Sequence, residues 1–484
     1  MIIGGLDVGT TGCKLTAYDD KGNFIYNSYK EYEISRKSGA HEFDATVIID
    51  AVKEVIRDVA KNCELSAIGV TTFGETFTVL DENDNVLLPS MLYTDPRGEE
   101  EVKELCEKLG EKNLTRIAGV KPHQMYSLPK IMWIKKNCPE VYSKIKRILL
   151  MEDYIVYMLT GNATIDYSLS ARTLAFDVRN KKWSDEILNA AGVDKALLST
   201  PVPAFNVAGE IKPDVAVELG LSNKVKIVNG AQDQVAAAVG AGVFEVGNAV
   251  DGTGTVECIT PVFNEIPDND ALYEDGYCVV PYVFDGTYVC YAFSYTGGAS
   301  LKWFKDRFAK EKSYKELDGS IKDEPTGILI LPHFAGAATP YMDNNSKAAI
   351  IGLTLEHTDA HFYKALMEGV TYEIMVNIDR LESAGINPDR LFATGGGAQS
   401  EVWLQIKADI IGKPITALDA GEAGTCGTCM LAAVASGVCK DLKEAKSKFV
   451  KEKKTYYPDM AKNEIYKKYF EAYKGIYDAV RGLC

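Results

Sequence analysis

The chain has 484 residues, of which 46% are hydrophobic and 25% are charged, and its net charge at pH 7 is -15. This length exceeds a single ordinary core and predicts a globular protein of two large domains or three average ones. Because no run of lysine or arginine interrupts the acidic balance, we expect no extended nucleic-acid surface and no nucleic-acid partner.

Targeting segments and cysteines give a consistent expectation of compartment. No basic segment followed by an apolar one opens the chain, and no stretch of about 18 apolar residues occurs, so we expect neither a signal peptide nor membrane association. The eleven cysteines are scattered, and the single CxxC, Cys426 to Cys429, has no second pair nearby for zinc. We interpret it as reduced small residues at a tight helix start rather than a redox centre, and expect a cytoplasmic protein.

Strands and helices alternate through the first half of the chain. Apolar and alternating runs around the turn "DDKGN" predict an opening meander of three strands, and the spacing of apolar residues then changes to a helical period. The predicted elements are strands over 2–7, 13–18, 24–30, 66–73 and 225–229, and helices over 47–61 and from about Gln232 onward.

The second half begins by repeating the opening design. "NAVDGTGTVECIT" (248–260) is again a strand, a Gly/Thr turn and a strand. A long amphipathic helix follows over 359–383, then a strand, a triple-glycine corner and a helix, and finally a tail helix over 461–482. The repeated strand–turn–strand pattern predicts two domains of related topology, 1–244 and 245–484, that face one cleft.

Three glycine corners share one possible purpose. The corners Gly9–Gly12, Gly252–Thr255 and Gly395–Gly397 allow a ligand to approach the backbone closely, because glycine has no Cβ and tolerates positive φ. Threonine hydroxyls in the first two add donors, so this pair is suited to clamp a polyphosphate. None of them is a Walker loop or a GxGxxG fingerprint. For any one corner alone, a simple tight turn remains the alternative.

Two aspartates accompany these corners. Asp233 starts a helix directly after a strand in "NGAQDQ", where the helix dipole favours the ionised carboxylate by about 0.3–1 kcal/mol. It is placed to deprotonate a hydroxyl or to hold Mg²⁺ through water, although an ordinary helix-start carboxylate is the alternative at this point. Asp7 ends a strand beside the first corner, and it is the matching candidate for Mg²⁺, which favours few carboxylates plus phosphate oxygens.

Several motifs in this order resemble the FGGY carbohydrate kinases, of the actin/hexokinase/Hsp70 ATPase superfamily, over nearly the whole chain. "MYSLPKIMWIKKN" is similar to the first family signature, and "AAIIGLTLEHTDAHFYKALMEG" is similar to the second, except that Leu366 stands where a smaller or β-branched residue is usual. "LDVGTTGCK" and "DGTGT" resemble the two phosphate motifs. "YTGGASLKWF" resembles a nucleotide-side loop, "ATGGGAQS" the adenosine motif and "GAQDQ" the catalytic-aspartate motif.

The resemblance implies an α/β protein of two actin-like (ribonuclease H-like) domains, each with a mixed five-stranded sheet, around an interdomain cleft. It implies sugar on the N-terminal domain, ATP mainly on the C-terminal domain, Asp233 as general base, and Mg²⁺ held with Asp7 and Asp233. This fits phosphoryl transfer, which requires positioning and charge neutralisation more than covalent chemistry. The implied ATP-binding residues are Gly9, Thr10, Thr11, Lys14, Thr253, Gly254, Thr255, Gly297, Gly298, Gly396 and Gly397.

The implied sugar site follows neither of two familiar patterns. Its candidates beside Asp233 are Glu75, Thr76, Asp95 and Arg172. Xylulokinases usually carry Gln-Met-His-Gly where this chain has Phe-Gly-Glu-Thr (73–76), whereas glycerol kinases share the Glu-Thr pair but carry an arginine in place of the glycine. We expect ATP-dependent phosphorylation of a ketose, a pentulose such as xylulose ahead of a hexulose, glycerol or another polyol. Members of this family are often dimers or tetramers, so the resemblance implies an oligomer, for example a homodimer.

Two other classes of function share part of these motifs. An actin- or Hsp70-like ATPase, in which ATP drives conformational change, would have the glycine corners but would not need both signatures or the GAQDQ segment. A non-catalytic sugar sensor would not need the retained Asp7, Asp233 and threonines. Release of ADP only in the presence of sugar separates the kinase from both alternatives.

Overall fold

The computed structural model describes residues 1–33, 35–37, 39–267, 270–419 and 422–483, and the chain divides into two compact units. The first and longest segment of the first unit ends at Gly242, two residues before the predicted domain boundary at 244. The first unit also includes two later segments that the sequence assigned to the second domain. The first unit is Met1–Gly242, Val279–Tyr288 and Glu422–Val450; the second is Val243–Cys278, Val289–Gly421 and Lys451–Cys484.

A six-stranded mixed sheet forms the centre of the first unit, one strand more than the five expected. Ile2–Val8 lies in its middle, antiparallel to Gly12–Asp19 and parallel to Leu65–Thr72. The additional strand is Val207–Glu210, which pairs antiparallel with Lys226–Gln232 at the edge of the sheet. The spatial order is Val207–Glu210, Lys226–Gln232, Leu65–Thr72, Ile2–Val8, Gly12–Asp19 and Phe24–Glu31.

The predicted first helix is confirmed as Ala45–Ala60, and its start has a clear local cause. Asp44 accepts a hydrogen bond from Thr46 N, which satisfies a backbone donor at the helix N-terminus. The helix buries its apolar face, including Ile48, Val52 and Ile56, in the core formed with the six-stranded sheet. Burial of this kind is the main favourable term in folding, about 25 cal/mol per Å² of apolar surface.

The remaining elements of the first unit surround this sheet. The other strands are Ser35–Lys37, Ala40–Phe43, Phe77–Leu80, Ser90–Met91, Arg147–Leu150, Thr164–Asp166, Phe176–Asp177, Lys182–Trp183, Thr200–Val202 and Val279–Pro281. The other α-helices are Glu99–Leu109, Glu111–Ala118, Ser127–Asn137, Pro139–Tyr142, Met151–Thr160, Tyr167–Ser170, Asp185–Ala191, Pro213–Leu219, Asp233–Gly240, Ala423–Ala435 and Leu442–Phe449. Short 3₁₀-helices span Ala171–Thr173 and Lys195–Leu197.

Two helices of the first unit approach each other unusually closely. A Cβ on Gly240 would lie 1.9 Å from Ala423 O, and one on Gly427 would lie 1.9 Å from Ala236 O, so only glycine fits at either position. This contact joins Asp233–Gly240 to Ala423–Ala435. The CxxC lies on the second of these helices, and its small residues serve that packing as predicted.

The two thiols of the CxxC do not face each other as a redox pair would. Cys426 Sγ contacts Phe449 O at 3.9 Å, whereas Cys429 Sγ contacts Ile3 O at 3.5 Å. Both thiols are free, and burial raises the pKa of Cys426 to about 12. A high thiol pKa disfavours the reactive thiolate, which supports the structural interpretation of this motif.

A second mixed sheet lies at the centre of the second unit, and it too has more strands than the five expected. Asn248–Thr253 pairs antiparallel with Glu257–Phe263 and parallel with Arg390–Thr394, which repeats the arrangement of the opening strands as the sequence predicted. Ile415–Leu418 pairs parallel with Arg390–Thr394, and Glu452–Tyr456 closes this side. The other strands are Ala292–Ser294, Leu329–Leu331, Ala349–Ile351 and Tyr288–Cys290, of which the last two residues belong to this unit.

The long predicted helix of the second unit is confirmed at Asp359–Ser383, with Gly385 in the left-handed region just beyond its end. The predicted tail helix over 461–482 is wrong in one respect. It forms two helices, Met460–Tyr473 and Ile476–Val480, separated at Gly475, because glycine is a poor helix residue. The other α-helices are Ala271–Glu274, Gly298–Phe308, Tyr314–Ser320 and Glu401–Ile411, and Gly396–Gln399 is a 3₁₀-helix.

Candidate active site

The first glycine corner connects the antiparallel strands Ile2–Val8 and Gly12–Asp19 of the first unit. Gly9 N donates to Gly12 O at 2.9 Å, and Tyr32 N donates to Thr11 O at 3.2 Å, so the corner is held as a tight turn. The Tyr32 hydroxyl also donates to Gly9 O. Gly9 and Thr10 are half-buried and Thr11 is exposed. The predicted phosphate-binding corner is therefore rigid on its inner side and accessible at Thr11.

Lys14, predicted to bind ATP, already has a partner in the first unit. It lies directly opposite Asp7 in the strand ladder, and its ammonium group forms an ion pair with Glu422. The Lys14 side chain is 28% exposed, so this pair is partly solvated and is worth little by itself. A role for Lys14 toward phosphate would require exchange of Glu422 for the ligand.

Asp233 is the first residue of a helix that follows the edge-side strand Lys226–Gln232, as predicted. Its carboxylate accepts a hydrogen bond from Gln234 N at 2.7 Å and another from the Gln232 side-chain amide. Burial raises the pKa of Asp233 to about 7, the carboxylates of Asp7 and Glu75 add to the rise, and the Gln234 N–H and Arg172 oppose it. These mutual effects show that the predicted residues of the first unit lie together.

Asp7 is the second half-buried carboxylate of this group. Burial, followed by the charge of Glu422, raises the pKa of Asp7 to about 6, while Lys14 opposes the shift. Among the described residues, no cluster of three or more histidine, cysteine or acidic side chains is suited to a metal ion. Two carboxylates nevertheless fit Mg²⁺, which takes few protein ligands when phosphate oxygens and water supply the rest. A cation would also relieve the repulsion between Asp7 and Asp233.

Glu75 and Arg172, predicted from different segments, form a buried ion pair. Arg172 Nε donates to Glu75 Oε1 at 2.5 Å. Glu75 has φ 63°, a conformation rare for a residue with a side chain, and such strain is commonly kept at functional sites. Ser127 Oγ donates to Glu75 O at 2.6 Å, and the Arg172 guanidinium lies 5.2 Å from the centroid of the Tyr126 ring. The pair is therefore fixed by the first signature segment.

Thr76 differs from Glu75 in having an uncommitted side chain. Its hydroxyl oxygen is buried and has no hydrogen-bond partner among the described residues. Its backbone N–H donates to Gly74 O at 2.7 Å, which closes a tight turn. Buried hydroxyls are nearly always satisfied in proteins, so an unpartnered one beside Glu75 is an observation that points to a ligand hydroxyl or to water.

The Asp95 carboxylate is already hydrogen-bonded within the protein and is not a free acceptor. Its oxygens accept hydrogen bonds from Arg97 Nε and a second guanidinium nitrogen at 2.7 Å each, and from His41 N at 2.9 Å. Burial alone would raise the pKa of Asp95, but these donors hold it below its ordinary value. Arg97 was missed by the sequence reasoning, although its position two residues after Asp95 was a usable signal.

Lys130, from the first signature, forms hydrogen bonds with the backbone of the loop that contains Asp95. Its ammonium group donates to Asp95 O at 2.8 Å and to Gln124 O at 2.6 Å, with Arg97 O at 3.3 Å. The side chain is fully buried, and burial lowers the pKa of Lys130 to about 8. Trp133, also in that signature, lies with its ring 5.1 Å from the Arg97 guanidinium. The signature thus holds the candidate sugar loop.

A cavity of about 1010 Å³ occupies the second unit. Its wall includes predicted residues from three separate motifs, together with aromatic rings that the sequence reasoning did not single out. The predicted residues are Gly254, Thr255, Gly298, Gly396 and Gly397, and the rings are those of Trp303, Tyr314, Tyr363 and Trp403. A wall that combines glycines, which expose backbone, with aromatic side chains suits a flat base joined to phosphate groups.

Thr253 and Gly297, also predicted to bind ATP, lie outside this lining. Thr253 is buried, and its hydroxyl donates to Asp251 at 2.9 Å while accepting from Lys407 at 2.6 Å. A Cβ on Gly297 would lie 2.7 Å from Val256 O, so Gly297 lets its loop pack against the second corner. Both residues therefore pack next to the residues of the cavity wall without lining it. Lys407 was missed because a lysine within a helix pattern usually indicates a solvated face.

Comparison with known proteins agrees with this geometry. Residues 2–240 match the N-terminal domain model, and residues 274–436 the C-terminal domain model, of the FGGY family of carbohydrate kinases. The xylulose kinases of Lactococcus lactis and Bacillus subtilis are 31% and 28% identical to this chain, over 98% and 99% of it and 96% and 97% of their own lengths. The crystal structure of gluconate kinase from Lactobacillus acidophilus has a TM-score of 0.90 at 25% identity and covers 99% of this chain and 98% of its own.

The extent of these matches confirms the α/β fold and the kinase class expected from the motifs. Matches over nearly the whole length, in both domains, leave the ATPase and sensor alternatives without support. No helix among the described residues is long and apolar enough to cross a membrane. The chain belongs to the FGGY family of carbohydrate kinases, enzymes that transfer a phosphoryl group from ATP to a sugar hydroxyl.

Proposed function

We propose that this kinase phosphorylates a neutral ketose, a pentulose such as xylulose, with Asp233 as the general base. The observation that carries the proposal is the grouping of Asp233, Asp7 and the Glu75–Arg172 pair in the first unit. Burial, followed by the charges of Asp7 and Glu75, raises the pKa of Asp233 to about 7, while Arg172 opposes the rise. A base with a pKa near the working pH combines a useful ionised fraction with a strong tendency to accept a proton.

The hydrogen bonds of Asp233 prepare it for this role. Gln234 N and the Gln232 amide both donate to Oδ1, which leaves Oδ2 as the oxygen to accept a proton from the attacking sugar hydroxyl. Removal of that proton as the hydroxyl attacks the γ-phosphorus is the contribution we assign to Asp233. The rest of catalysis is positioning and charge neutralisation, as in other phosphoryl transfers.

Asp7 and Asp233 would hold Mg²⁺ through water. In the first unit the corner Gly9–Gly12 offers backbone and hydroxyl donors to phosphate, and in the second unit the Thr255 hydroxyl offers another. A cation held by these two aspartates would supply neutralisation of the phosphate charge. Asp7 serves as the fixed anionic ligand, because its strand is locked between two neighbours in the sheet. The cavity in the second unit, with Gly254, Gly396 and Trp403 in its wall, is our assignment for the adenosine part of ATP.

The charge of the sugar site separates a ketose from a sugar acid. Relatives of this chain include enzymes named for xylulose and for gluconate. A gluconate site needs a cation to receive the substrate carboxylate, but here Arg172 is engaged by Glu75 and Arg97 by Asp95 and Glu42. Glu75 remains our candidate acceptor for sugar hydroxyls, whereas the oxygens of Asp95 are already engaged by Arg97 and His41. Glycerol or another polyol is the second candidate, because Thr76 has an uncommitted hydroxyl beside Glu75.

A cytoplasmic location and a homodimer complete the proposal. All ten cysteines that the structure describes are free, which suits a reducing compartment. Sedimentation velocity of the purified protein tests the dimer directly.

The decisive experiment compares the wild type with Asp233→Asn. Wild-type enzyme with MgATP should release ADP only when xylulose is added, and a panel of pentuloses, hexuloses, polyols and gluconate then ranks the acceptors. Asp233→Asn should still bind ATP but lose about 10²–10⁴-fold in kcat, the usual contribution of a general base. Wild-type kcat in that variant would refute the assignment of Asp233, and preference for gluconate would refute the neutral-sugar proposal.

A further inference from the structure

A fully buried lysine lies behind the cavity of the second unit. Lys407, in the helix Glu401–Ile411, is only 1% exposed. Its ammonium nitrogen lies 2.6 Å from each of three oxygens, those of Asp251 Oδ2, Thr253 Oγ1 and Glu257 Oε1. Three short contacts satisfy all three ammonium protons of Lys407, whereas the second carboxylate oxygen of Glu257 is buried with no partner among the described residues.

The three partners of Lys407 belong to one hairpin. Asp251 and Thr253 end the strand Asn248–Thr253, and Glu257 begins the next strand, directly opposite Thr253 in the ladder. The turn between them carries the second glycine corner, whose Gly254 and Thr255 lie in the cavity wall. Lys407 therefore connects the two strands of the hairpin next to the turn that carries the second glycine corner.

The helix that carries Lys407 forms another part of the same wall. Ser400 caps it by accepting a hydrogen bond from Trp403 N, and its first turn, Ser400 to Trp403, lines the cavity. Lys407 lies one turn further along, with its nitrogen 4.9 Å from the centroid of the Trp403 ring. One side chain thus connects the aromatic part of the wall with the Gly/Thr part.

The cluster contains two carboxyl groups and one lysine, so its charges cancel only when one carboxyl group is protonated. Glu257 and Asp251 from the hairpin face the single cation Lys407 from the helix. Burial raises the pKa of Glu257 to about 8, Lys407 opposes this rise, and the neighbouring Asp251 carboxylate adds to it. This shift favours a protonated Glu257, which lowers the negative charge of the cluster beside Lys407. Ionisation above this pKa would place a negative charge directly behind the corner assigned to phosphate.

We propose that Lys407 is a positioning residue for the nucleotide, which fixes the separation between the corner at Gly254 and Thr255 and the wall at Trp403. The proposal rests on the assignment of the cavity to ATP made above. Lys407 does not itself line the cavity, so its effect is exerted through the geometry of groups that do. Small displacements of such groups cost about 10²-fold in well-oriented sites.

The test compares two buried lysines of the same unit. Lys364 is 3% exposed and donates to the carbonyls of Lys322 and Glu324 at 2.8 Å each, outside the cavity lining. Lys407→Met and Lys364→Met should both lower the melting temperature. Only Lys407→Met should raise the KM for MgATP and its Kd from calorimetry, by about 10- to 100-fold, with the KM for xylulose within about twofold of wild type.

Two further variants keep every outcome informative. Glu257→Gln keeps an acceptor for Lys407 but cannot ionise, so between pH 7 and 9 the wild-type Kd for MgATP should rise relative to that of this variant. That ratio decides the matter if Lys407→Met does not fold, and a constant ratio would then overturn the proposal. Gly396→Leu fills the cavity itself. If Gly396→Leu binds ATP as the wild type does, the cavity assignment and this proposal are both overturned. If Gly396→Leu binds ATP poorly but Lys407→Met has normal KM and Kd values for MgATP, only the role of Lys407 is overturned.

Discussion

Glu75 and Arg172 form an ion pair that is buried from solvent although the two residues are 97 positions apart in the chain. The pair is neutral as a unit, and Gly74 allows it, because a Cβ there would lie 3.1 Å from Arg172 Cγ. Glycerol kinases usually carry an arginine at the position of Gly74. The neutral pair is thus coupled to a departure from that pattern, and in our proposal it sets the charge of the sugar site.

Substitution of Glu75 by glutamine should shift both affinity and specificity. Glu75→Gln removes the negative charge and releases the Arg172 guanidinium, so we expect the KM for xylulose to rise about tenfold and the inhibition constant for gluconate to fall. The KM for ATP should stay within about twofold. Steady-state kinetics with each substrate varied in turn measures all three quantities.

Glu42 offers a matched control for that experiment. It pairs with Arg97 in the same unit, but Arg97 keeps Asp95 as a second partner. Glu42→Gln should therefore leave gluconate inhibition unchanged. If Glu75→Gln alters only the KM for ATP, the assignment of this pair to the sugar site is wrong.

Gly396 provides a direct test of the nucleotide cavity. A Cβ at Gly396 would meet no atom within 4 Å, and its φ is not in the left-handed region, so Gly396→Leu should fold with little strain. The leucine side chain would occupy cavity volume, and we expect the KM for ATP to rise at least about tenfold while the KM for the sugar changes little.

The comparison for this variant is Gly319→Leu. Gly319 is exposed on the helix Tyr314–Ser320, has equally open surroundings and does not line the cavity. Gly319→Leu should leave the KM for ATP, the KM for the sugar and the melting temperature close to those of the wild type. A folded Gly396→Leu enzyme with wild-type ATP kinetics would remove the cavity from the mechanism.

The position of Asp233 was predictable from sequence, whereas the direction of Thr253 was not. A strand that runs into a helix start with an aspartate is a local pattern, and the structure contains it at Asp233. Whether a threonine in a Gly/Thr corner faces ligand or core depends on its surroundings in space. Here Lys407, more than 150 residues later, draws the Thr253 hydroxyl inward.

The assignment of Glu422–Val450 to the first unit was equally beyond local pattern. The helix Ala423–Ala435 reads as an ordinary apolar helix late in the chain, and its place is decided by the backbone contacts that Gly240 and Gly427 permit. Periodicity gives the type and length of an element, but it does not give the partner on which the element packs. The order of the corners, the long helix and the signatures was accessible because each is a local feature.

Asp153 gives a prediction on stability outside the candidate site. It is 1% exposed, accepts a hydrogen bond from Ser199 Oγ, and has one oxygen with no partner among the described residues. Burial raises the pKa of Asp153 to about 8, with the Asp166 carboxylate adding to the rise and the Ser199 hydroxyl opposing it. Between about pH 4 and pH 8 the folded protein therefore holds a proton that the unfolded chain releases. The contribution of Asp153 to the free energy of unfolding therefore falls as the pH rises through this interval.

Asp153→Asn removes this titration and keeps the size of the side chain. We expect its melting temperature to exceed that of the wild type by an amount that grows from pH 5 to about pH 8 and is then constant. Since about 1 kcal/mol shifts the melting temperature by roughly 2–4 °C in domains of this size, a difference of several degrees at pH 9 is measurable by scanning calorimetry. The exposed Asp81 is the control, because hydrogen bonds from Asn85 lower its pKa and it stays ionised throughout. Asp81→Asn should change the melting temperature by the same amount at every pH from 5 to 9, and an equally flat difference for Asp153→Asn would mean that Asp153 is ionised in the folded protein.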